Sequence, residues 1–516
     1  MTAEKTPGKT PGKIPGKIPG KTPGKVPGKT PEQPPSGGAG DSARATPAGT
    51  APPGAGPPGA GPSGTVPGIV WPALPAAAGA ASQRAVLRQL EETQRWPAER
   101  LRAAQLRQAG RLLDHAARHV PHYRERLAAA GHQAGRAPTP ELWSRLPVLT
   151  RAEVQAAGSA LVAARLPRGH APTKAISTSG STGRPLTALT TPVTQRFWLL
   201  FTLRDHLWQR RDFRGKFAAI RSLPEGKGLY PAGARSRTWG PATASLVRSG
   251  PSAALSILAS TEQQAEWLRR EDPDYLLCYP SALGDLARHF RAAGDAPKRL
   301  RQIATFAEAL PPTLRAACRE VFGVEIKDMY SAQELGYLAL QCPDHAHYHA
   351  QDEGVLLEVL RDDGTPCGAG EIGRVVATPL HNFATPLIRY EIGDLAERGG
   401  PCPCGRGLSV LTRILGRARN LLTLPDGRRL WPRLSEARYV EVPALKQYQL
   451  VQKTRHRLEM RVVADPPFTP ADEAKLRAIV LARIGHPFEI VFSYPESIPR
   501  GPGGKYEDFK SELPDA

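Results

Sequence analysis

Helical and strand-like segments alternate between Thr194 and Phe306, and this alternation constrains the fold more than any other feature of the chain. Apolar spacing predicts helices over 194–209, 261–270 and 281–293. Strand-like runs occupy 217–220, 275–279 and 302–306. Strands joined through helices pair in parallel by crossovers, so the pattern predicts α/β layers around a parallel sheet. From Gly354 the texture changes to short β segments at 355–359, 373–378 and 386–390, separated by turns such as Asp363-Gly364. This reads as a smaller β-rich region. After Gly416-Arg417 come strand-like 447–452 and 458–463, helical 471–484 and strand-like 489–494. A compact α+β domain of about 100 residues is expected there.

Upstream, Val86, Leu90, Leu101, Leu106, Leu112 and Val120 recur at helical spacing, and Pro121 closes the run. Thr150 with Glu153 three residues on forms a capping box that opens a further helix. Before all this, Lys5-Thr-Pro-Gly8 and its variants repeat every four residues to Pro31, and Gly/Ala/Pro-rich sequence continues to about Ala80. Pro blocks regular structure, Gly raises the entropic cost of order, and spaced lysines repel one another. Residues 1–80 are therefore expected to be a disordered basic arm, 81–415 a large domain, 416–420 a hinge, and 421–516 a small mobile lid.

The net charge of +21 suits anionic ligands, but Arg is spread along the chain instead of gathered with aromatics, which argues against specific nucleic-acid binding. No charge-free apolar run approaches 18 residues, and Met1-Thr-Ala-Glu-Lys5 lacks a secretory core. A cytoplasmic location without a membrane span is expected. Six cysteines do not make a disulfide framework in a chain of 516 residues; reduced thiols or a metal are expected.

Ser177-Thr-Ser-Gly-Ser-Thr-Gly-Arg-Pro-Leu186 reads as a phosphate-gripping loop. Ser179, Ser181 and Thr182 supply hydroxyls, Gly180 and Gly183 let main-chain N–H groups turn inward, and Arg184 adds positive charge. Neither a Walker lysine nor a Gly-x-Gly-x-x-Gly pattern is present here. Further along come Ala307-Glu-Ala309, Tyr330-Ser-Ala-Gln-Glu334, Arg389-Tyr-Glu-Ile-Gly-Asp394, Gly416-Arg417 and Ile498-Pro-Arg-Gly-Pro-Gly-Gly-Lys505. With His119-Val-Pro-His-Tyr123, Leu146-Pro-Val-Leu-Thr150 and Tyr279-Pro-Ser281, their order resembles the adenylate-forming superfamily, and within it the phenylacetate–CoA ligase-like family, over roughly residues 82–515.

The resemblance implies ATP-dependent activation of a carboxylic acid: the carboxylate attacks the α-phosphorus, pyrophosphate leaves, and an acyl-adenylate remains. The loop from Ser179 to Arg184 would hold the triphosphate. Glu334 would bind Mg²⁺, Asp394 the ribose hydroxyls, Tyr330 would stack on adenine with Glu308 near the base, and Arg417 would contact the nucleotide from the junction. Lys505 matches the catalytic lysine, whose ammonium would bridge carboxylate and phosphate. Coenzyme A is the implied acceptor, with an amine or a carrier-protein thiol as alternatives; an aromatic acid is a family-level expectation, and a homodimer is compatible with it. A rival class is a nucleotide-fold relative that binds anions without turnover. The chain departs from the family pattern at Arg184, where many relatives carry Lys, at Tyr506-Glu-Asp-Phe after the lysine, and at Gly416-Arg-Ala-Arg-Asn420, which leaves Arg419 and Asn420 as hinge candidates. Finally, Cys342-Pro-Asp-His-Ala-His-Tyr-His349 and Cys402-Pro-Cys404 offer thiolates and imidazoles suited to tetrahedral zinc. Cys342, His349, Cys402 and Cys404 are the expected ligands of a structural site, with His345 or His347 as substitutes for His349.

Overall fold

A computed structural model describes residues 64–177, 186–244, 246–417, 421–430, 432, 442, 444–501 and 504–513. The repeat arm up to 63, the phosphate loop 179–184 and the hinge candidates Arg419 and Asn420 lie outside the described residues.

The stretch 65–75, assigned above to the arm, is a hairpin of strands Thr65–Val70 and Ala73–Pro75. Val66, Ile69 and Leu74 are buried. Gln108 fixes the turn: its side-chain oxygen accepts from the amides of Val70 (2.7 Å) and Trp71 (3.1 Å), and its amide donates to Gly68 O (3.0 Å). A few apolar residues inside a Gly/Pro-rich run are enough when a neighbouring helix supplies the partners. That helix, Ala98–His119, buries Leu101, Ala104, Leu112 and Leu113 on one face. The capping box at Thr150 and Glu153 is present and opens the helix Arg151–Ala157.

The alternating segments and the β-rich region are not separate sheets. They form one sheet of twelve strands. Its parallel part runs Ser252–Ser256, Phe217–Arg221, Tyr275–Cys278, Gln302–Phe306, Glu325–Ala332, with Ala234–Ser236 antiparallel at the edge. It continues antiparallel through Gly336–Gln341, Tyr348–Ala350, Val410–Arg417, Tyr390–Arg398, Ile372–Pro379 and Val355–Leu360. The parallel strands are covered by the helices Thr261–Glu271, Pro280–Ala293 and Pro312–Phe322, whose Trp267, Leu286 and Phe290 share a core with Ile220, Leu276 and Ile303.

One expected strand is a turn: the strand begins only at Tyr390, and Arg389 sits at φ 49°. The Arg389 guanidinium is buried against Glu358 (3.1 and 3.2 Å) and the carbonyls of Ser144 and Leu146, so it ties the N-terminal helices to the sheet. After the junction, strands Glu489–Ser493, Arg457–Ala464, Leu445–Gln452 and Phe509–Ser511 pair in that order. The helix Pro470–Ile484, capped by Thr469 and Asp472, packs Leu476 and Val480 onto Leu450, Met460 and Phe509, a core of their own. No described helix is long and apolar enough to cross a membrane.

Candidate active site

The adjacent strands Tyr390–Arg398 and Val410–Arg417 are in register such that Asp394 lies opposite Arg417. Arg417 Nε is 3.1 Å from Asp394 Oδ1, and Arg417 Nη1 donates to Ile392 O at 2.6 Å, so the guanidinium is held at two points. The other carboxylate oxygen accepts from Tyr330 OH at 2.6 Å. Tyr330 comes from the end of Glu325–Ala332, and the tight turn into Gly336–Gln341 carries Glu334, which is buried. Gly336 takes the left-handed φ of 86° that this turn requires. Burial, reinforced by Asp394, pushes the Tyr330 hydroxyl well above its ordinary pKa, so it stays a donor; Asp394 in turn raises the pKa of Arg417.

Lys505 reaches the same cleft from the small domain. Its turn is held by Gly504 N donating to Gly501 O (2.8 Å) and Gly501 N to Lys505 O (2.9 Å). Gly504 has φ 76°, and a Cβ there would meet Ile257 at 3.0 Å and the Tyr279 hydroxyl at 3.3 Å, so glycine allows the loop to seat against the large domain. Burial lowers the Lys505 pKa, and Arg417 lowers it further, while Asp394, Glu308 and Glu334 oppose the shift. Lys505 shares the cleft with Asp394, Glu308 and Glu334.

Glu308, expected near the adenine base, lines the cleft as well. Its carboxylate accepts from Ser281 N (2.9 Å), Ser281 Oγ (3.1 Å) and, across the domain boundary, Tyr506 N (2.7 Å). Arg500, also from the small domain, donates to Ser281 Oγ at 2.6 Å and lies 3.6 Å from Asp285 Oδ2. Burial raises the Glu308 pKa, and the N–H donors from Tyr506 and Ser281 counter it. In this arrangement Glu308 ties the Lys505 loop to the large domain through Tyr506 N. Sequence reasoning assigned Arg500 and Tyr506 no role; the signal was their place within the lysine motif.

Glu308, Tyr330, Glu334, Asp394, Arg417 and Lys505 all line one cleft of 2530 Å³, and Ser177, the last described residue before the phosphate loop, lines it too. The strands Lys174–Ser177 and Thr187–Thr190, which precede and follow that loop in the sequence, pair antiparallel.

Away from the cleft, Cys342, His349, Cys402 and Cys404 converge with their ligand atoms all within 4.8 Å of one another. Cys342 Sγ is 4.0 Å from Cys402 Sγ, and Cys404 Sγ is 3.4 Å from His349 Nε2. His347 Nε2 is 2.9 Å from Cys402 Sγ, so it borders the same group. Three thiols and an imidazole at this spacing fit a closed tetrahedral metal site that joins Tyr348–Ala350 to the turn before Val410–Arg417.

No protein-family model matches the chain. It is 28% identical over 275 residues to a phenylacetate-coenzyme A ligase of Thermus thermophilus, a match covering 48% of this chain and 62% of that protein, less than two thirds of its length. It is 25% identical over 384 residues to a phenylacetate-coenzyme A ligase of Aromatoleum evansii, covering 70% and 80% respectively. A solved 2-hydroxyisobutyryl-CoA ligase in the postadenylation state, in complex with R3-HIB-AMP, superposes with a TM-score of 0.63 at 19% identity, covering 82% of this chain and 92% of that one. The fold is that of the adenylate-forming CoA ligases. The twelve-stranded sheet with its covering helices is the larger unit and the four-stranded sheet with its helix the smaller one. The cleft described above lies where the two meet.

Proposed function

We propose that the protein activates a carboxylic acid with ATP and Mg²⁺ through an acyl-adenylate, releases pyrophosphate, and transfers the acyl group to coenzyme A. The observation that carries this reading is the convergence of Lys505 from the small domain with Glu334, Asp394 and Arg417 from the large one on a single cleft. Phosphoryl attack by a carboxylate brings two anions together, so positioning and charge neutralisation supply most of the catalysis. Lys505 offers a compact cation for the attacking carboxylate and the α-phosphate. Glu334 offers a hard oxygen ligand for a phosphate-bound Mg²⁺. Asp394 would accept from the ribose hydroxyls, its present partners Tyr330 and Arg417 keeping it oriented. Tyr330 supplies an aromatic wall for adenine. The loop from Ser179 to Arg184 would grip the triphosphate.

Rotation of the small domain would require the bond from Tyr506 N to Glu308 and the Arg500 contacts to open, so these bonds belong to one arrangement of the two domains. Cys342, His349, Cys402 and Cys404 would hold a structural zinc, and the six free thiols suit a reducing, cytoplasmic setting. ATP–pyrophosphate exchange with a panel of carboxylic acids tests the activity: acid-dependent exchange is expected, and ATP binding without exchange for any acid would leave only a binding protein. Zinc is checked by metal analysis of the purified protein and of Cys402→Ser. One equivalent is expected in the former and a loss in the latter; no zinc in either removes the site.

A further inference from the structure

We infer that Arg500 is a positioning residue for adenylation, which seats Lys505 by docking into a socket made of Ser281, Asp285 and Glu308 on the large domain. The inference rests on the adenylation reading above and adds the residue through which the small domain places its lysine.

The socket is built from a helix and a strand end. Ser281 and Asp285 lie four residues apart on the helix Pro280–Ala293, so they share a face. Glu308 follows the strand Gln302–Phe306, and its bonds from Ser281 N and Ser281 Oγ join the strand end to the start of the helix. Arg288 donates to Asp285 Oδ1 at 2.5 Å, and the other oxygen, Oδ2, is the one nearest Arg500. The Glu308 side chain is only 10% exposed. A carboxylate so enclosed is costly unless cations and N–H donors reach it.

Arg500 reaches every part of this socket. Its Nη1 donates to Ser281 Oγ at 2.6 Å and stands 3.8 Å from Glu308 Oε1, while Nη2 stands 3.6 Å from Asp285 Oδ2. Burial raises the pKa of both carboxylates, and Arg500 opposes the rise at each. The same Nη1 donates to Gly504 O at 3.4 Å, the carbonyl immediately before Lys505. The guanidinium therefore braces the lysine's own loop while it holds the large domain. Beyond the lysine, Tyr506 N donates to Glu308 Oε1 at 2.7 Å. Residues on both sides of Lys505 are thus fastened to one carboxylate, which fixes where the stem of the lysine begins. An arginine suits this task because its planar fork of five donors serves several acceptors at once, whereas an ammonium is a single point of charge. If the small domain departs, Glu308 loses Tyr506 N and Arg500 together, so the charge of the socket favours the seated arrangement.

The test is ATP–pyrophosphate exchange with the acid that the unmodified protein exchanges fastest. Arg500→Met should lower kcat by about 10- to 100-fold, the loss that misplacing a catalytic group by about 1 Å brings, with KM for ATP and for the acid within about 3-fold. Arg500→Lys, which keeps the charge without the fork, should retain more activity than Arg500→Met. In a Lys505→Ala background, Arg500→Met should cost no more than about 2- to 3-fold, because no ammonium is left to place. A merely structural arginine would cost the same in both backgrounds, and that result overturns the inference. So does an unchanged kcat, or a rise in KM for ATP alone, which would make Arg500 a direct nucleotide contact. Either result leaves adenylation standing, whereas absence of exchange with every acid in the unmodified protein removes adenylation and this role together. If Arg500→Met does not fold, judged by its melting temperature, Ser281→Ala decides from the other side of the contact: a lower kcat at unchanged KM is expected, and an unchanged kcat overturns the inference.

Discussion

The two ends of the cleft treat charge in opposite ways. At one end, Asp394 is held by Tyr330 and Arg417, and Lys505 arrives from another domain among Asp394, Glu308 and Glu334, so cations and carboxylates are interleaved there. At the far end, Asp205, Arg211 and His206 form a closed, neutral group with two donors left over. The first arrangement gathers charged groups of both signs on the cleft; the second buries its charges against one another. The difference shows that a count of charged residues says little about ligand type until their partners are known.

The comparison is broken most severely at Lys505. Lys505→Ala should lower adenylation by about 100- to 1000-fold, the usual consequence of removing one group aimed at developing charge, while ATP still binds by calorimetry. Unchanged exchange would remove the lysine from the mechanism. A smaller effect is expected at Asp394. Asp394→Ala leaves Tyr330 and Arg417 without their acceptor and should raise the KM for ATP in the exchange assay by about 10- to 100-fold, without reordering the acids that support exchange. A changed acid ranking would mean that the two ends are not independent.

The smallest effect lies at the far end. His206 is neutral in the fold because burial, and secondarily Arg211, depress its pKa well below the ordinary value. In the unfolded chain it takes up a proton below about pH 6.5, so unfolding binds protons there and stability falls as pH falls through that value. Denaturant unfolding of His206→Gln should show a weaker acid-side loss, by at most about 1.4 kcal/mol per pH unit, the contribution of one proton. Equal slopes in both proteins would place the titration elsewhere, for example at His115 and His381, whose pKa values burial lowers to about 4.

The capping box at Thr150 and Glu153, the helices 261–271 and 280–293, and the cysteine and histidine set are visible in the sequence because each rests on residues a few positions apart or on short, recognisable runs. Asp394, Glu334 and Lys505 are visible through motif order, and the structure brings them to one cleft. What local pattern could not carry is the hairpin 65–75, hidden inside Gly/Pro-rich sequence until Gln108 anchors it. The turn at Arg389 also escaped, because a buried ion pair with Glu358 overrides the strand propensity of its neighbours.

By itself, then, the sequence determined the order of elements, the composition of the metal-site candidate and the set of groups fit for adenylation chemistry, since periodicity, capping and ligand chemistry act over short distances. Only the tertiary structure decided that the parallel and antiparallel segments make one sheet. It also decided that Glu308 accepts from Tyr506 N, 198 residues away, and that Arg211, 91 residues before its Gln302 partner, is buried against Asp205 and His206. Those outcomes depend on which surfaces meet once chain entropy is spent, and pairings at such separations leave no periodic trace in the sequence.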